Sequence, residues 1–545
     1  MNKFNYLILI ILVLSIHNNL LSQIITGDDE KLIRFLQKME VKGFFREEYF
    51  STSFTMDDVL KKLATLKNNE AKLTNYEKEE LNHYLRIYDD FNLTSNINEK
   101  DFRFFDFKLF DRFDLFRYKD ANFIMAINPA INLTAENLFD HRQLRSGRGL
   151  SSVGKMKNGL GFSFYFMDNL VYKGDYWNKL IFTNEQGRVL TINNNKRSEF
   201  SDTRGSLTFQ NNWLLISLMK ENLKIGNGES SSLILSTKTP SFPSIYLRFK
   251  FTDWLTVYSM HGWLLSSITD SSKSYLTDHN YRVVSHEKYF ALHAFTIQPF
   301  NWWNMTFGET IIYSDRGPYL GYLIPFLFYR SIDHSFTYGG GESGNNGSFF
   351  FENNFYVMDK LKLYSSLFID EFSLSGLLRG KTDRNQSAYT VGFKSFDLPV
   401  KRLSLALEYT KILPWVYSNW IPAQTYTNLN YPLGHYIGQN SDQIYFKAGY
   451  DINTNLYISI DLEYTRNGGI SDIKNQYTPP GEEFLYGLKR TISKVGFDVR
   501  YYLFENIVLK GTCAFYNIKD EDPSRTPDWQ RGNNSIIKLG LVWEY

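Results

Sequence analysis

Over the last 110 or so residues, apolar and polar side chains alternate at every second position. Short turns and long loops also alternate strictly between the segments. Leu456, Ile458, Ile460, Leu462 and Tyr464 share one parity, and Tyr457, Ser459, Asp461 and Glu463 the other. The same alternation runs through Ile537, Leu539, Leu541, Trp543 and Tyr545. A period of two puts successive side chains on opposite faces of a strand. An apolar face opposed by a charged face is what a transmembrane β-barrel requires. Lipid takes the first, a wet lumen takes the second, and closure leaves no unpaired backbone in hydrocarbon. A soluble sandwich or propeller has no reason to make every second turn short.

Counting backward by short turns predicts strands near 535–545, 507–516, 491–503, 456–464, 442–450, 402–411, 386–396, 361–370 and 348–357. Others follow near 303–313, 286–297, 254–263, 244–250, 213–221, 200–209, 159–167, 143–153 and 122–133. That makes about 18 antiparallel strands, an even number as single-chain bacterial barrels have. Residues 102–116 also alternate in part and add or displace a strand. The long connections, 168–199, 222–243, 264–285, 314–347, 412–441, 465–490 and 517–534, belong at the outward end. One of them carries an apolar run, Leu320 to Phe328, which is expected to fold inward and help close the pore.

The stretch before the strands reads differently. Leu32, Phe35, Leu36 and Met39 recur at helical spacing. Thr55 stands three before Asp58 and Thr74 three before Glu77, each opening an apolar helical stripe in the manner of a capping box. These helices are too few to form a comfortable core alone, so they are expected to dock at the periplasmic mouth. The division is a signal peptide over 1–23, a periplasmic helical bundle over 24–95, and a barrel with long extracellular loops over 96–545. The signal peptide reading rests on Lys3, the apolar run from Tyr6 to Ile16, and small Ser22 before the cut.

Composition supports this picture. The 545 residues are 43% hydrophobic and 17% aromatic, yet mean hydropathy is −0.33. Apolar content is therefore dispersed along strands, and the aromatic excess suits two interfacial girdles. Lys plus Arg (60) nearly equals Asp plus Glu (58), which gives no footing for nucleic acid. Cys513 is the only cysteine, so there is no disulfide framework and no lipid-bearing cysteine at the cut. The export route ends in the outer membrane of a Gram-negative bacterium.

Several stretches resemble the Wzi-type capsule assembly family of outer-membrane proteins. They are GRGLSSVGKMKNGLGFSFYFMDN at 147–169, IGNGESSSLILS at 225–236, YSMHGWL at 258–264, FLFYRS at 326–331 and LFIDEF at 367–372. The longest is YTNLNYPLGHYIGQNSD at 426–442, followed by EYTRNGG at 463–469. None is a catalytic motif; their order and spacing carry the likeness over nearly the whole mature sequence. The resemblance implies an 18-stranded barrel with a periplasmic helical bundle, acting as a surface lectin that helps attach capsular polysaccharide.

Binding a polysaccharide calls for flat aromatic faces and fixed polar groups. The 412–441 loop offers Trp415, Trp420, Tyr426, Asn428 and His435, with Arg330 in the preceding long loop. Trp415 and Trp420 lie near a strand end and read equally well as girdle residues; Tyr426, Asn428 and His435 lie farther from it, so a girdle explains them less well, and bracing of the loop is their alternative. Asp370, Asp461, Glu463, Lys494, Asp498 and Arg500 face the lumen with both signs of charge, which favours mutual neutralisation in a plugged barrel over an ion-selective path. Ser259 and His261 share a strand face but lack an evident orienting acid, and are expected to hydrogen-bond in the lumen. No zinc or calcium spacing is present, so no metal, cofactor or catalysis is expected. The expected partners are capsular or extracellular polysaccharide, outer-membrane lipid, and capsule export machinery met through the helices around Val59 and Leu81. The competing reading is a porin-like diffusion channel for sugars or oligosaccharides.

Overall fold

The computed structural model describes residues 24–25, 30–46, 54–89, 91, 100–107, 111–173, 176, 180, 182–194, 196–336, 344–371, 385–478 and 481–543. The expected signal peptide lies outside them, as does Tyr545. Eighteen antiparallel strands close into one barrel. In chain order they are β1 (Phe123–Leu138), β2 (His141–Met156), β3 (Leu160–Tyr172), β4 (Arg197–Gln210), β5 (Leu214–Glu221) and β6 (Phe242–Thr252). Next come β7 (Leu255–Leu264), β8 (Lys288–Phe300), β9 (Trp303–Ser314), β10 (Asn346–Tyr356), β11 (Leu361–Glu371) and β12 (Gln386–Phe396). The ring is completed by β13 (Leu403–Ile412), β14 (Ser441–Asn453), β15 (Leu456–Asn467), β16 (Arg490–Phe504), β17 (Ile507–Asp520) and β18 (Gly532–Trp543). Closure comes from β18 pairing with the upper part of β1, Trp543 opposite Ile131 through Ile536 opposite Leu138.

All eighteen staves coincide with the strands read from alternation. The alternation of turn lengths fails once: β1 and β2 are joined at the long-loop end by only Phe139 and Asp140, both with positive φ. The alternating 102–116 stretch makes no stave. It forms a hairpin, Asp101–Phe107 with Phe113–Lys119, whose second strand pairs with the lower part of β1 beneath the end of β18.

The wall has two chemistries. Its outer face exposes Leu207, Leu218, Phe351, Val391, Leu462, Phe497 and Leu539. Exposed Trp213, Phe251, Trp254, Phe300 and Trp302 band the short-turn end. The inner face carries polar pairs such as Thr208–Ser217, Thr296–Thr306 and Thr390–Thr410. Lys494 and Asp461 meet inside at 2.7 Å. An apolar exterior around a polar interior is the reverse of a soluble protein and matches a barrel built for lipid.

Three helices close the short-turn end: α1 (Glu30–Val41), α2 (Met56–Asn68) and α3 (Asn75–Asp89). Leu32, Phe35, Leu36 and Met39 of α1 are buried with Val59, Leu63 and Leu66 of α2 and Leu81, Tyr84 and Ile87 of α3. Inward-facing Ile124, Ala126 and Val153 of β1 and β2 join the same cluster, so the bundle sits in the barrel mouth. The polar face of α1 is spaced to reach successive turns of the barrel. Lys31 pairs with Glu505 at 2.7 Å, Arg34 with Asp451 at 3.0 Å and Lys38 with Asp397 at 3.0 Å. One turn further, Glu40 accepts from Tyr356 and Lys362. Both capping boxes are present: Thr55 with Asp58, and Thr74 with Glu77.

Candidate functional site: the plugged lumen and its rim

At the other end the long loops fold into the barrel. The β5–β6 loop (222–241) and the β13–β14 loop (413–440) meet inside it and form one buried cluster. Leu223, Ile225, Leu233, Ile234 and Leu235 come from the first, and Val416, Tyr417, Tyr426, Leu433, Tyr436 and Ile437 from the second. Phe290, Ile312, Phe350, Phe368 and Ile412 supply the barrel wall around them. Apolar loop residues need such a surface, and the lumen side of these staves is correspondingly apolar.

The seam between the loops is polar and specific. Tyr417 and Tyr426 donate from their hydroxyls to the carbonyls of Leu233 (2.7 Å) and Ile234 (2.9 Å). Ser236 Oγ donates to the Gly434 carbonyl at 2.7 Å. Two buried carboxylates on the wall anchor the first loop. Glu408 of β13 accepts from the Glu229 amide (2.7 Å), the Ser230 hydroxyl and the Tyr364 hydroxyl (2.7 Å). Glu352 of β10 accepts from the Asn227 amide (2.9 Å) and the Ser366 hydroxyl. Glu229 itself is held between Lys394 (2.6 Å) and Lys447 (3.2 Å), which keep its carboxyl far below the ordinary range against the cost of burial. The tight path requires Gly228: its φ is +123°, and a Cβ there would lie 1.8 Å from the Ser231 carbonyl oxygen.

A third loop, between β3 and β4, packs Leu180 and Phe182 against Phe139, Ile492, Tyr516 and Ile536. Its Glu185 pairs with Lys538 of β18. Beneath it remains a polar cavity of about 570 Å³. Arg34 of α1 lines its floor, while Lys224, Glu229, Lys494, Asp498 and Lys538 are among the charged groups around it. The lumen is thus filled on one side, and holds a charged chamber on the other.

The sequence-derived site residues separate on this geometry. Trp415, Tyr426, Asn428 and His435 are all buried, with His435 fully so. This corrects the expectation that the 412–441 loop presents them to solvent, because the loop turns inward and uses them as braces. Asn428 accepts from the Leu265 amide at 2.9 Å and donates to the Pro240 carbonyl. His435 faces Ser230 at 3.2 Å, and burial lowers its pKa to about 3, so its imidazole is neutral. Trp415 stacks on Tyr486. Trp420 and Arg330 remain exposed, on different long loops.

Trp420 is 47% exposed and lies nearly parallel to Tyr477, at 6.2 Å and 18°. The Tyr477 hydroxyl donates to Glu371 at 2.6 Å, which fixes its ring. A second rim group has His141 stacked on Tyr176 at 3.9 Å, with Trp529 edge-on to both. Sequence reasoning did not single out Tyr477, Tyr176 or Trp529, since each comes from a different loop and only the fold assembles them. Asp270, His286 and Asp315 also converge at the rim, with ligand atoms within 4.8 Å of one another. No metal was expected from spacing. Here His286 already pairs with Asp315 at 3.0 Å, and Asp270 holds the Ser272 amide at 3.0 Å and the Ser272 hydroxyl at 2.6 Å.

Two further expectations are corrected. Ser259 and His261 do not face the lumen; parity puts Tyr258 and Met260 there, in the plug cluster, and turns Ser259 and His261 to the outer wall. Nor does the Leu320–Phe328 run fold inward. It lies on the outside of the barrel, where Phe326 meets Phe251 (6.1 Å) and Phe295 (6.0 Å).

No protein-family model and no curated protein matches this chain. Among solved structures it is similar to Wzi of Escherichia coli, described as an outer-membrane protein involved in group 1 capsule assembly and a carbohydrate-binding β-barrel. That match has a TM-score of 0.56 at 10% identity, covering 97% of this chain and 100% of that one. OccD3 (OpdP) of Pseudomonas aeruginosa matches with a TM-score of 0.42 at 8% identity, over 77% of this chain and 90% of that one. The fold is thus Wzi-like over nearly the whole chain.

Proposed function

We propose that this chain is an outer-membrane polysaccharide-binding protein. Short turns and helices face the periplasm and the long loops face the cell surface, where the protein helps to hold or assemble a capsular or extracellular layer. The observation that carries this reading is the doubly closed lumen: α1 crosses one mouth and three inward loops fill the other, so function falls to the rim. There the Trp420–Tyr477 pair and the His141–Tyr176–Trp529 group offer aromatic platforms for the apolar faces of sugar rings. Contacts of this size are weak singly, and a repeating polymer sums them through multivalency. The Wzi-like fold supports the same reading, as do the motif stretches that form the plug seam. No chemical step is needed for it, so the protein acts by binding, with lipid around the wall and export machinery reached through the periplasmic helices.

A second reading, a porin-like diffusion channel for sugars or oligosaccharides, is favoured by the 570 Å³ charged chamber within the barrel. Two measurements distinguish them. In planar bilayers the binding protein passes little steady current, whereas a channel gives large currents blocked by sugar. On intact cells, Trp420→Ala with Tyr477→Ala is expected to reduce polysaccharide retention several-fold, and unchanged retention would count against this rim.

A further inference from the structure

The outer wall carries polar groups where a lipid-facing wall should have none. Ser259, His293 and Glu309 stand directly opposite one another on β7, β8 and β9. All three point outward, and none is more than 7% exposed. His293 Nε2 lies 3.2 Å from a Glu309 carboxylate oxygen. What covers them is the β9–β10 loop, which leaves the long-loop end and runs back down the wall. Its Leu323 carbonyl accepts from Ser259 Oγ at 2.9 Å, and its Tyr329 amide donates to Glu309 at 3.1 Å. The Tyr329 ring lies on His293 at 4.3 Å. The opposite face of this strap is apolar and bare: Leu320, Ile324, Phe326, Leu327 and Phe328 are 42–65% exposed. Phe326 and Phe328 continue the outward-facing row of Phe251, Phe295 and Phe349.

We propose that this strap is embedded in the bilayer, with lipid acyl chains as its partner, and that it seals the Ser259–His293–Glu309 row from hydrocarbon. The occupant follows from continuity, because the strap's bare side chains join the apolar wall residues Phe251, Phe295 and Phe349 beside it in one surface. The inference rests on the wall facing lipid and is independent of the sugar reading. Depth argues against the row acting as an acyl-transfer triad, although the residue types fit one. It lies four residues, roughly 10 Å, below the Trp263–Tyr289–Tyr313 aromatic row and so beneath the ester groups of a lipid.

The test uses the full-length protein in phosphatidylethanolamine–phosphatidylglycerol bilayers, with Cys513→Ser as background. A nitroxide on Phe326→Cys is compared with one on wall residue Leu539→Cys and one on loop residue Asp278→Cys. The expected result is strong collision with oxygen and exclusion of a water-soluble nickel chelate, as at position 539. Nickel access as at 278 would place the strap in water, and shielding from both reagents would place protein over it; either overturns the proposal. A second variant replaces 320–328 with a glycine–serine linker. Its folded-to-unfolded ratio in bilayers should drop roughly tenfold or more, and His293→Leu with Glu309→Leu should restore most of it. Unchanged stability in the linker variant would also overturn the proposal.

Discussion

The Asp58 carboxylate that closes the capping box of α2 also accepts from the guanidinium of Arg248, on β6, at 3.1 and 3.3 Å. One side chain therefore starts a helix and fastens it inside the barrel. Both partners are almost fully buried. Removing one leaves the other charge uncompensated, which costs about 3–5 kcal/mol for a buried pair. Arg248→Met should therefore undock α2 while the barrel stays closed. Hydrogen exchange over residues 54–68 is the measure, and it should accelerate without a change in the strand amides. Protection equal to the native protein would show that apolar packing alone holds the helix.

Glu80 of α3 gives the bundle a pH dependence. It is buried beside Asp451, and desolvation first, then that neighbour, raises its pKa to about 8. An acid whose folded pKa is raised binds more protons folded than unfolded. Docking is therefore strongest below the ordinary carboxylate range and weakens as pH climbs toward about 8. Glu77, three residues earlier, has the opposite sign. Lys38 and Lys42 outweigh burial and lower it to about 2, so its contribution is lost only as pH falls from about 4.5 toward that value. Glu80→Gln should slow exchange in residues 75–89 at pH 8 relative to native protein, and leave it unchanged near pH 5. Equal behaviour of the two at pH 8 would reject the buried, proton-holding Glu80.

The barrel was legible because lipid enforces a period of two on every stave, and even the central staves such as Gln386–Phe396 fell where the alternation put them. Both capping boxes were legible for a similar reason, since each is a local pattern within four residues. The direction in which a loop folds is not local. The run Leu320 to Phe328 reads as a plug element because an apolar segment must be covered, but the cover here is the outer wall. The sequence also holds the explanation: His293 and Glu309 fall on outward positions of β8 and β9 and require a screen. Likewise Tyr426 and His435 resemble sugar ligands in isolation, and become braces once Leu233, Ile234 and Ser230 are placed beside them. The rim platforms are not legible in the sequence because Trp420 and Tyr477 lie on separate loops.

Glu408 is the wall residue on which the first plug loop depends. It accepts from the amides of Glu229 and Ser230 and from the hydroxyls of Ser230 and Tyr364, all in the lumen, where a lost partner leaves buried donors unsatisfied at about 1–3 kcal/mol each. Glu408→Leu should therefore loosen the plug and raise single-channel conductance in planar bilayers, whereas Glu408→Gln should retain most of the seal. Equal conductance in the two variants would mean that the second loop closes the lumen unaided.

Gly228 tests the same plug through the backbone rather than a side chain. At φ +123° an L-residue is strained by about 1–3 kcal/mol, and the Ser231 carbonyl oxygen occupies the space a Cβ would need. Gly228→Ala must therefore shift the 226–232 turn. That shift pulls the Glu229 amide away from Glu408 and the Glu229 carboxylate away from Lys394 and Lys447. The expected outcome is a barrel that folds and resists denaturant nearly as well as before, because its staves are untouched, but one that conducts intermittently. Gly226→Ala is the graded comparison: its φ is also positive, at +98°, and its added Cβ would meet the Ser232 hydroxyl at 2.8 Å rather than a carbonyl, so the leak should be smaller. If Gly228→Ala stays as tight as the native protein, the loop does not seal the lumen through this turn.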